Sequence, residues 1–299
     1  MFTAEQLLNG VVIPVDKPRQ WTSFQAVGKV KAAIRHSKLS TLNSKLKVGH
    51  AGTLDPLATG LLLICVGKAT KRIPQLQEGE KVYSGTMVLG ATTPCYDLER
   101  PIDAYYPYEH ITPERLEEAR RQFLGDIQQV PPIFSAVKIG GQRAYALAQP
   151  GQEASPTPKT VHIADFQITA FRPGETNTNA ENEHERTNTN LTNLTNKKDS
   201  YNSCDSCSEK KDDSCSDNNI RVQGEKQFAL YKNPLGSVPP ELPQIDFRIR
   251  CGKGTYIRSI ARDFGLALDS GAFLASLRRE QIGDYTLADA IPLEELKIE

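Results

Sequence analysis

The sequence predicts a mixed fold, α+β or α/β, interrupted by one long disordered insertion. Three observations carry that reading. Strand-like alternation and helix-like spacing succeed one another along the chain. A central stretch loses almost all its large aliphatic residues. The 299 residues supply about two domains' worth of material, enough for a packed core.

The elements follow in order. Residues 10–15 read as a strand that ends at Asp16-Lys17-Pro18. Thr22 with Gln25 three residues on has the form of a capping box, after which Ala26, Val27, Val30, Ala33 and Ile34 recur at helical spacing. The other face of that helix is basic, with Lys29, Lys31, Arg35 and Lys38. Residues 82–89 alternate as a strand and stop at Gly90. Thr112-Pro113-Glu114 opens a helix whose Leu116, Ala119, Phe123 and Leu124 share a face, and Gly125 closes it. Beyond the insertion, Ile245, Phe247, Ile249 and Cys251 alternate as a strand. Gly252-Lys253-Gly254 then leads to a helical pattern of Ile257, Ile260, Ala261 and Phe264.

From residue 174 to 219, Asn, Thr and Ser supply 22 of 46 residues, and Leu191 and Leu194 are the only large aliphatics. Such a segment cannot bury enough apolar surface to offset its ordering entropy. Polar and Pro-rich sequence continues to 243, so the expected organisation is a folded unit of 1–173 and 244–299 around an insertion at 174–243. The insertion holds Cys204, Cys207 and Cys215, which with His184 invite a zinc reading, but no packed scaffold surrounds them.

The charges balance at 36 Lys+Arg against 36 Asp+Glu. The insertion carries 8 basic and 12 acidic residues, which leaves 28 against 24 elsewhere: a mildly basic folded part that permits a polyanionic partner through local patches. The longest apolar run, 61–66, is far short of the roughly 20 residues of a membrane span. The first ten residues hold Glu5 and no Lys or Arg, unlike a secretory signal, so a cytoplasmic protein with reduced thiols is expected.

The segment most suggestive of chemistry runs Lys47-Val48-Gly49-His50-Ala51-Gly52-Thr53-Leu54-Asp55-Pro56-Leu57-Ala58-Thr59-Gly60. Glycines permit positive φ and close backbone approach, and Pro56 restricts Asp55 to extended conformations, so this acid sits in a rigid loop. A lone carboxylate there is a nucleophile, a general base, a metal ligand or a turn former. No second acid nearby completes a glycosidase pair, and no His/Cys cluster completes a metal site. Gly67-Lys68-Ala69-Thr70-Lys71 fails as a phosphate loop because Ala69 stands where Ser or Thr is required. The turn before Tyr256-Ile257-Arg258 puts an aromatic ring and a guanidinium two residues apart at a strand-to-helix junction, where both can serve one cleft.

These segments, taken in order, resemble the TruB family of tRNA pseudouridine-55 synthases. The resemblance rests on residues 10–18, Thr22-Ser23, residues 49–60, residues 67–71, Tyr83, residues 131–138, Gly254-Thr255-Tyr256-Ile257-Arg258 and Leu277-Arg278-Arg279. It implies an α+β fold of pseudouridine-synthase type, with a mixed, largely antiparallel sheet flanked by helices. It further implies isomerisation of a uridine in the T loop of tRNA, with no metal or cofactor. Asp55 is then the essential aspartate, Arg258 its salt-bridge partner, and Tyr83 the ring that stacks on the target base. His50 enters the T-loop stack, and Tyr256, Lys17, Lys138 and Leu277 join it as substrate contacts. The expected partner is the T stem-loop, with no membrane and no obligate protein partner, and a monomer is the default. A non-catalytic tRNA-binding or RNA-folding protein on the same scaffold is the alternative.

Three departures qualify the resemblance. After its tyrosine strand the family carries an Arg-Thr-Asp-Thr-like sequence, where this chain has Ala91-Thr92-Thr93-Pro94-Cys95-Tyr96-Asp97, so RNA contacts there are not carried over. Many relatives continue into an RNA-binding domain of PUA type. The sequence stops at Glu299, and no full domain of that kind is expected. The insertion replaces a short connection. A thumb-like hairpin is expected near 130–151, with Lys138 and Arg143 flanking Gly140-Gly141.

Overall fold

A computed structural model describes residues 2–37, 46–132, 156–174, 238–296 and 298, together with the backbone of 138–139 and 142–143. The expected insertion and thumb therefore lie largely outside the described residues. The backbone that is described pairs Lys138 with Arg143 and Ile139 with Gln142, a short antiparallel ladder about Gly140-Gly141.

A short helix, Ala4–Asn9 (α1), precedes the first strand, Val11–Lys17 (β1). The capping box expected at Thr22 is present: its hydroxyl accepts from Gln25 N while Gln25 Oε1 accepts from Thr22 N at 2.7 Å, and helix Ser23–His36 (α2) follows. Strands Val48–Ala51 (β2) and Thr59–Val66 (β3) bracket the Asp55 loop. Helix Ile73–Glu78 (α3) leads to strand Lys81–Leu89 (β4). After two short strands, Ala91–Thr92 (β5) and Ala104–Tyr105 (β6), comes helix Pro113–Arg121 (α4), capped by Thr112 with Pro113 in its first turn. This helix ends earlier than its apolar spacing suggests. Phe123 tucks into the core from a turn, and Leu124 is exposed. Gly125 then opens a strand, Gly125–Gln129 (β7).

With Lys138–Ile139 counted as β8 and Gln142–Arg143 as β9, the remaining strands are Lys159–Arg172 (β10), Gln244–Cys251 (β11), Ala272–Ile282 (β12), Tyr285–Thr286 (β13) and Ile291–Pro292 (β14). Helix Ile257–Ala267 (α5) joins β11 to β12. One ten-stranded sheet runs in the order β14-β1-β3-β12-β4-β11-β10-β7, with β2 on β3 and β13 on β12. Only the β1–β14 and β3–β12 pairs are parallel. The mixed, largely antiparallel sheet flanked by helices is thus present.

Both faces of this sheet are covered, which explains the apolar run in β3. Leu62, Ile64 and Val66 join the main core with Ala26, Val27 and Val30 of α2 and with Ile257, Ile260 and Phe264 of α5, while Leu61 and Leu63 pack with Ala51 and Ile282 in a separate cluster. The two helices that flank the Asp55 loop therefore share one core. Residues 238–243, assigned by composition to the insertion, belong to the fold. Leu242 is buried, the carbonyl of Pro243 accepts from Leu89 N, and a Cβ on Gly174 would lie 1.9 Å from the carbonyl oxygen of Glu241. Too few apolar residues stand there to outweigh their polar surroundings in a compositional reading.

Gly60 is where the loop rejoins the sheet. Its φ is +98°, and an added Cβ would lie 2.3 Å from the carbonyl oxygen of Arg279, its partner in the parallel β3–β12 pair. Left-handed strain and overpacking therefore act together, and Gly60→Ala is expected to cost about 2–5 kcal/mol. A urea unfolding midpoint that stays where it is would contradict this; the expected result is a lower midpoint at unchanged slope.

Candidate active site

Three buried side chains hold the backbone of the Asp55 loop. Lys17, at the end of β1, has no exposure at all; its Nζ donates to the carbonyls of Trp21 (2.6 Å), Pro18 (3.0 Å) and Pro56 (3.2 Å). Three acceptors use all three N–H bonds of an ammonium group. Ser23, in the first turn of α2, takes the N–H of Leu54 at 2.9 Å and returns its hydroxyl to the Leu54 carbonyl at 3.1 Å. Arg279, 1% exposed beneath the loop, donates from Nε to Leu61 O at 2.8 Å, from Nη2 to Gly52 O at 3.1 Å and from Nη1 to Thr53 O at 3.4 Å. Gln20 N also donates to Pro56 O at 2.8 Å. The acid between these anchors has little freedom to move.

Asp55 reaches out of the loop. Its side chain is 37% exposed, and Oδ2 lies 2.9 Å from Nε of Arg258, itself 6% exposed. Arg258 sits in the first turn of α5, and its Nη1 donates to the carbonyl of Cys95 at 3.1 Å. A second carboxylate, Asp97, stands 3.8 Å from the same Nε. Burial would disfavour the charged guanidinium, but Asp55, Asp97 and Glu99 outweigh it and hold Arg258 cationic. Burial also pushes Asp97 above the usual carboxylate range, against a hydrogen bond from Glu99 N and the attraction of Arg258. The arrangement is a covered cation between a covered carboxylate and an open one, and Asp55 is the most exposed of the three. That cleft is lined by Asp55, Leu57, Asp97, Arg258, Leu274 and Leu277, among others.

Tyr83 lies opposite Arg279 in the β4–β12 ladder and is 9% exposed. Burial raises its phenol above the ordinary value, a hydrogen bond with Arg279 works the other way, and the charge of Asp55 is felt there. Arg279 thus touches both the Asp55 loop and the Tyr83 hydroxyl. His50, on β2, is half-buried; burial first and Arg279 second lower its pKa, so the ring is neutral near pH 7.

The sequence-derived site residues divide accordingly. Asp55, Arg258 and Leu277 line one cleft, and Tyr83 lies within the field of Asp55. His50 and Tyr256 do not line that cleft; Tyr256 caps α5, where its backbone pairs with the buried Gln129 amide through Tyr256 N to Oε1 (2.8 Å) and Nε2 to Tyr256 O (3.1 Å). The side chain of Lys138 lies outside the described residues. Lys17 is corrected: full burial and three carbonyl partners make it an anchor of the loop, not a substrate contact. Asp97, Ser23 and Arg279 are the residues that motif reading passed over as site components, although all three stand in segments it had singled out. Cys95, Asp97 and Glu99 come close enough to suggest a cation site. Burial and Asp97 push the Cys95 thiol up to about 12, and Asp97 is engaged with Arg258, which does not suit a metal. Cys204, Cys207, Cys215 and His184 lie outside the described residues.

Comparison with known proteins places this geometry. Residues 39–187 match the model of the TruB family pseudouridylate synthase, N-terminal domain. A tRNA pseudouridine synthase B of Flavobacterium johnsoniae is 40% identical over 292 residues, 98% of this chain and 96% of that protein. The protein of the same name from Phocaeicola vulgatus is 40% identical over 285 residues, 95% of this chain and 91% of the relative. Among solved structures, a chain of a Cbf5-Nop10-Gar1 complex matches 97% of this chain with a TM-score of 0.53 at 20% identity. This chain spans 54% of that one, and the likeness speaks to the fold alone.

The Lys17 ammonium yields a test that needs no substrate. Burial foremost lowers its pKa from 10.5 to about 8, against the pull of Asp55. Between those two values the unfolded chain holds the proton and the folded chain does not, so stability attributable to Lys17 rises with pH across that window. Measured against Lys17→Met by urea unfolding, the wild-type chain is expected to gain up to roughly 3 kcal/mol between pH 8 and 10.5. A difference that stays flat with pH would contradict a buried, lowered lysine.

Proposed function

The chain belongs to the TruB family of pseudouridylate synthases, and on that premise we propose that it isomerises uridine 55 in the T loop of tRNA to pseudouridine. The observation that carries the reading is the Asp55–Arg258 pair: one open carboxylate, on a loop fixed by buried side chains, 2.9 Å from a covered guanidinium. In the reaction the N1–C1′ bond breaks, the uracil turns, C5 joins C1′, the proton on C5 leaves to solvent and N1 takes up a proton in its place. The formula is unchanged, so neither an electron acceptor nor a phosphoryl donor is needed. Asp55 serves either by attacking C1′ or by taking a proton from the sugar. Both roles use the carboxylate form of the acid, whose Oδ2 pairs with Arg258 Nε at 2.9 Å.

A base in a folded loop must leave its stack first, at a cost of a few kcal/mol. Stacking on an aromatic ring returns about 1–3 kcal/mol. Tyr83 suits this part through its ring, because its oxygen is engaged with Arg279. Leu277, across the cleft, offers an apolar contact for the extruded base. The same reading takes the protein to work in the cytoplasm as a monomer without a protein partner.

The decisive assay incubates purified protein with a tRNA transcript tritiated at C5 of uridine, without added metal or nucleotide. About one tritium per tRNA is expected in solvent, and none from a transcript carrying cytidine at position 55. Asp55→Asn is expected to lower the rate at least about 1,000-fold while tRNA affinity changes little. Undiminished release by that variant would refute the assignment. Arg279→Lys keeps the charge but not the guanidinium fork that spans Leu61, Gly52 and Thr53. It is expected to lower kcat about 10- to 100-fold with KM nearly unchanged. A change confined to KM would show that Arg279 acts on binding and not on the aim of Asp55.

A further inference from the structure

Helix α2 carries the most exposed of the large hydrophobic side chains among the described residues: Phe24 is 77% exposed. It follows Ser23, whose hydroxyl is bonded to Leu54 beside Asp55, so this end of the helix is the one tied to the catalytic loop. Phe24, Gly28, Lys31 and Arg35 recur at intervals of four, three and four residues, all exposed, within about 60° of helix arc. Their opposite face buries Ala26, Val27, Val30 and Ile34. A Cβ at Gly28 would meet nothing within 4 Å, so the middle of the stripe is open.

The charge of the region is one-sided. Between Asp16 and Asp55 the chain has eight Lys and Arg residues and no Asp or Glu. A helix face that merely meets solvent ordinarily mixes signs, since i,i+4 pairs of opposite charge stabilise it. This one has no acid to pair with. Cations in a row beside an exposed ring fit an RNA strand, which offers continuous phosphate for the former and sugar or base faces for the latter. The eleven residue steps from Phe24 to Arg35 span about 16 Å, so the far cations cannot serve the nucleotide that Asp55 addresses.

We propose that the outward stripe of α2, formed by Phe24, Lys31 and Arg35, is a second docking surface for the sugar–phosphate backbone of tRNA outside the T arm. It rests on the reading of tRNA as substrate and adds where the rest of that molecule lies. Phe24 marks the end nearest the catalytic loop, and Arg35 the end that extends away from it.

The test measures binding of full-length tRNA and of an isolated T-arm hairpin by the intact protein and by the variant Phe24→Ser, Lys31→Gln, Arg35→Gln. Affinity for full-length tRNA is expected to fall about tenfold at 0.1 M salt, with the slope of log K against log salt shallower by about 2. Affinity for the hairpin, and kcat at saturating tRNA, are expected to stay within about twofold, since uniform binding contributes to KM alone. Unchanged tRNA affinity overturns the proposal, as does an equal loss on both RNAs, which assigns the stripe to the T arm itself. Competition by polyglutamate as effective as that by tRNA also overturns it, in favour of an acidic polypeptide. If the triple variant melts early, Lys31→Gln alone carries the test with a slope change of about 1. Because the readout is binding, an unaltered protein that binds tRNA but releases no tritium would sink the proposed reaction and leave this result standing.

Discussion

The structure depends on a set of hydrogen bonds from buried side chains to the carbonyls around Asp55. A carboxylate that must meet a substrate has to be partly exposed, and exposed side chains on loops ordinarily move. Here the backbone is fixed from three directions: Lys17 from β1, Ser23 from α2 and Arg279 from β12. Each acts on main-chain atoms, which leaves the Asp55 side chain to Arg258. Holding the reacting group in its working geometry before the substrate arrives is where a large part of a catalytic barrier can be removed.

The anchors also set the local field. Lys17, Arg258 and Arg279 are all buried, and the acceptors given for Lys17 and Arg279 are carbonyls rather than acids. A buried cation satisfied only by dipoles keeps its charge available to its surroundings. The effect is visible at neighbouring groups: Arg279 opposes protonation of His50 and opposes the rise in the Tyr83 phenol. Asp97 has the complementary part. It stands 3.8 Å from Arg258 Nε on the covered side, and burial shifts it toward its neutral form, so it competes weakly with Asp55 for the guanidinium.

What was legible in the sequence was local. The Thr22–Gln25 capping box and the proline start of α4 depend on neighbours a few positions apart, and a pattern of that length can be read directly. The contacts that complete the site join residues far apart. Arg279 meets Leu61 across 218 positions, and Arg258 meets Cys95 across 163. Neither residue type announces such a partner: the strand-to-helix junction put Arg258 at a cleft, but only the resemblance to a family paired it with Asp55, and Arg279 was seen without its part. Lys17 was misread for a related reason. A lysine after a strand reads as a surface cation, and only the packing of Pro56 against the β1 end turns it inward. Leu242 lay hidden in polar sequence because its burial comes from β4 and from the residues around Gly174, not from its own neighbours.

The position of the catalytic loop relative to the charged helix bears on how a near-neutral chain can engage a polyanion. At physiological ionic strength a charge is felt over about 8 Å, so the balance of 36 against 36 over the whole molecule says little about any one surface. What matters is that the acids bounding the basic stretch, Asp16 and Asp55, are both occupied: Asp16 by Arg278 at 2.7 Å and Asp55 by Arg258. Neither projects an unbalanced negative charge toward the helix that begins one residue before Phe24. The only acid that must meet the substrate is thus neutralised in advance by its own partner. A strongly negative RNA can approach the cationic side of the cleft without first being repelled by the carboxylate that is to act on it. The Asp55–Arg258 pair in this way aims the acid and also removes the electrostatic objection to placing a carboxylate in an RNA-binding cleft.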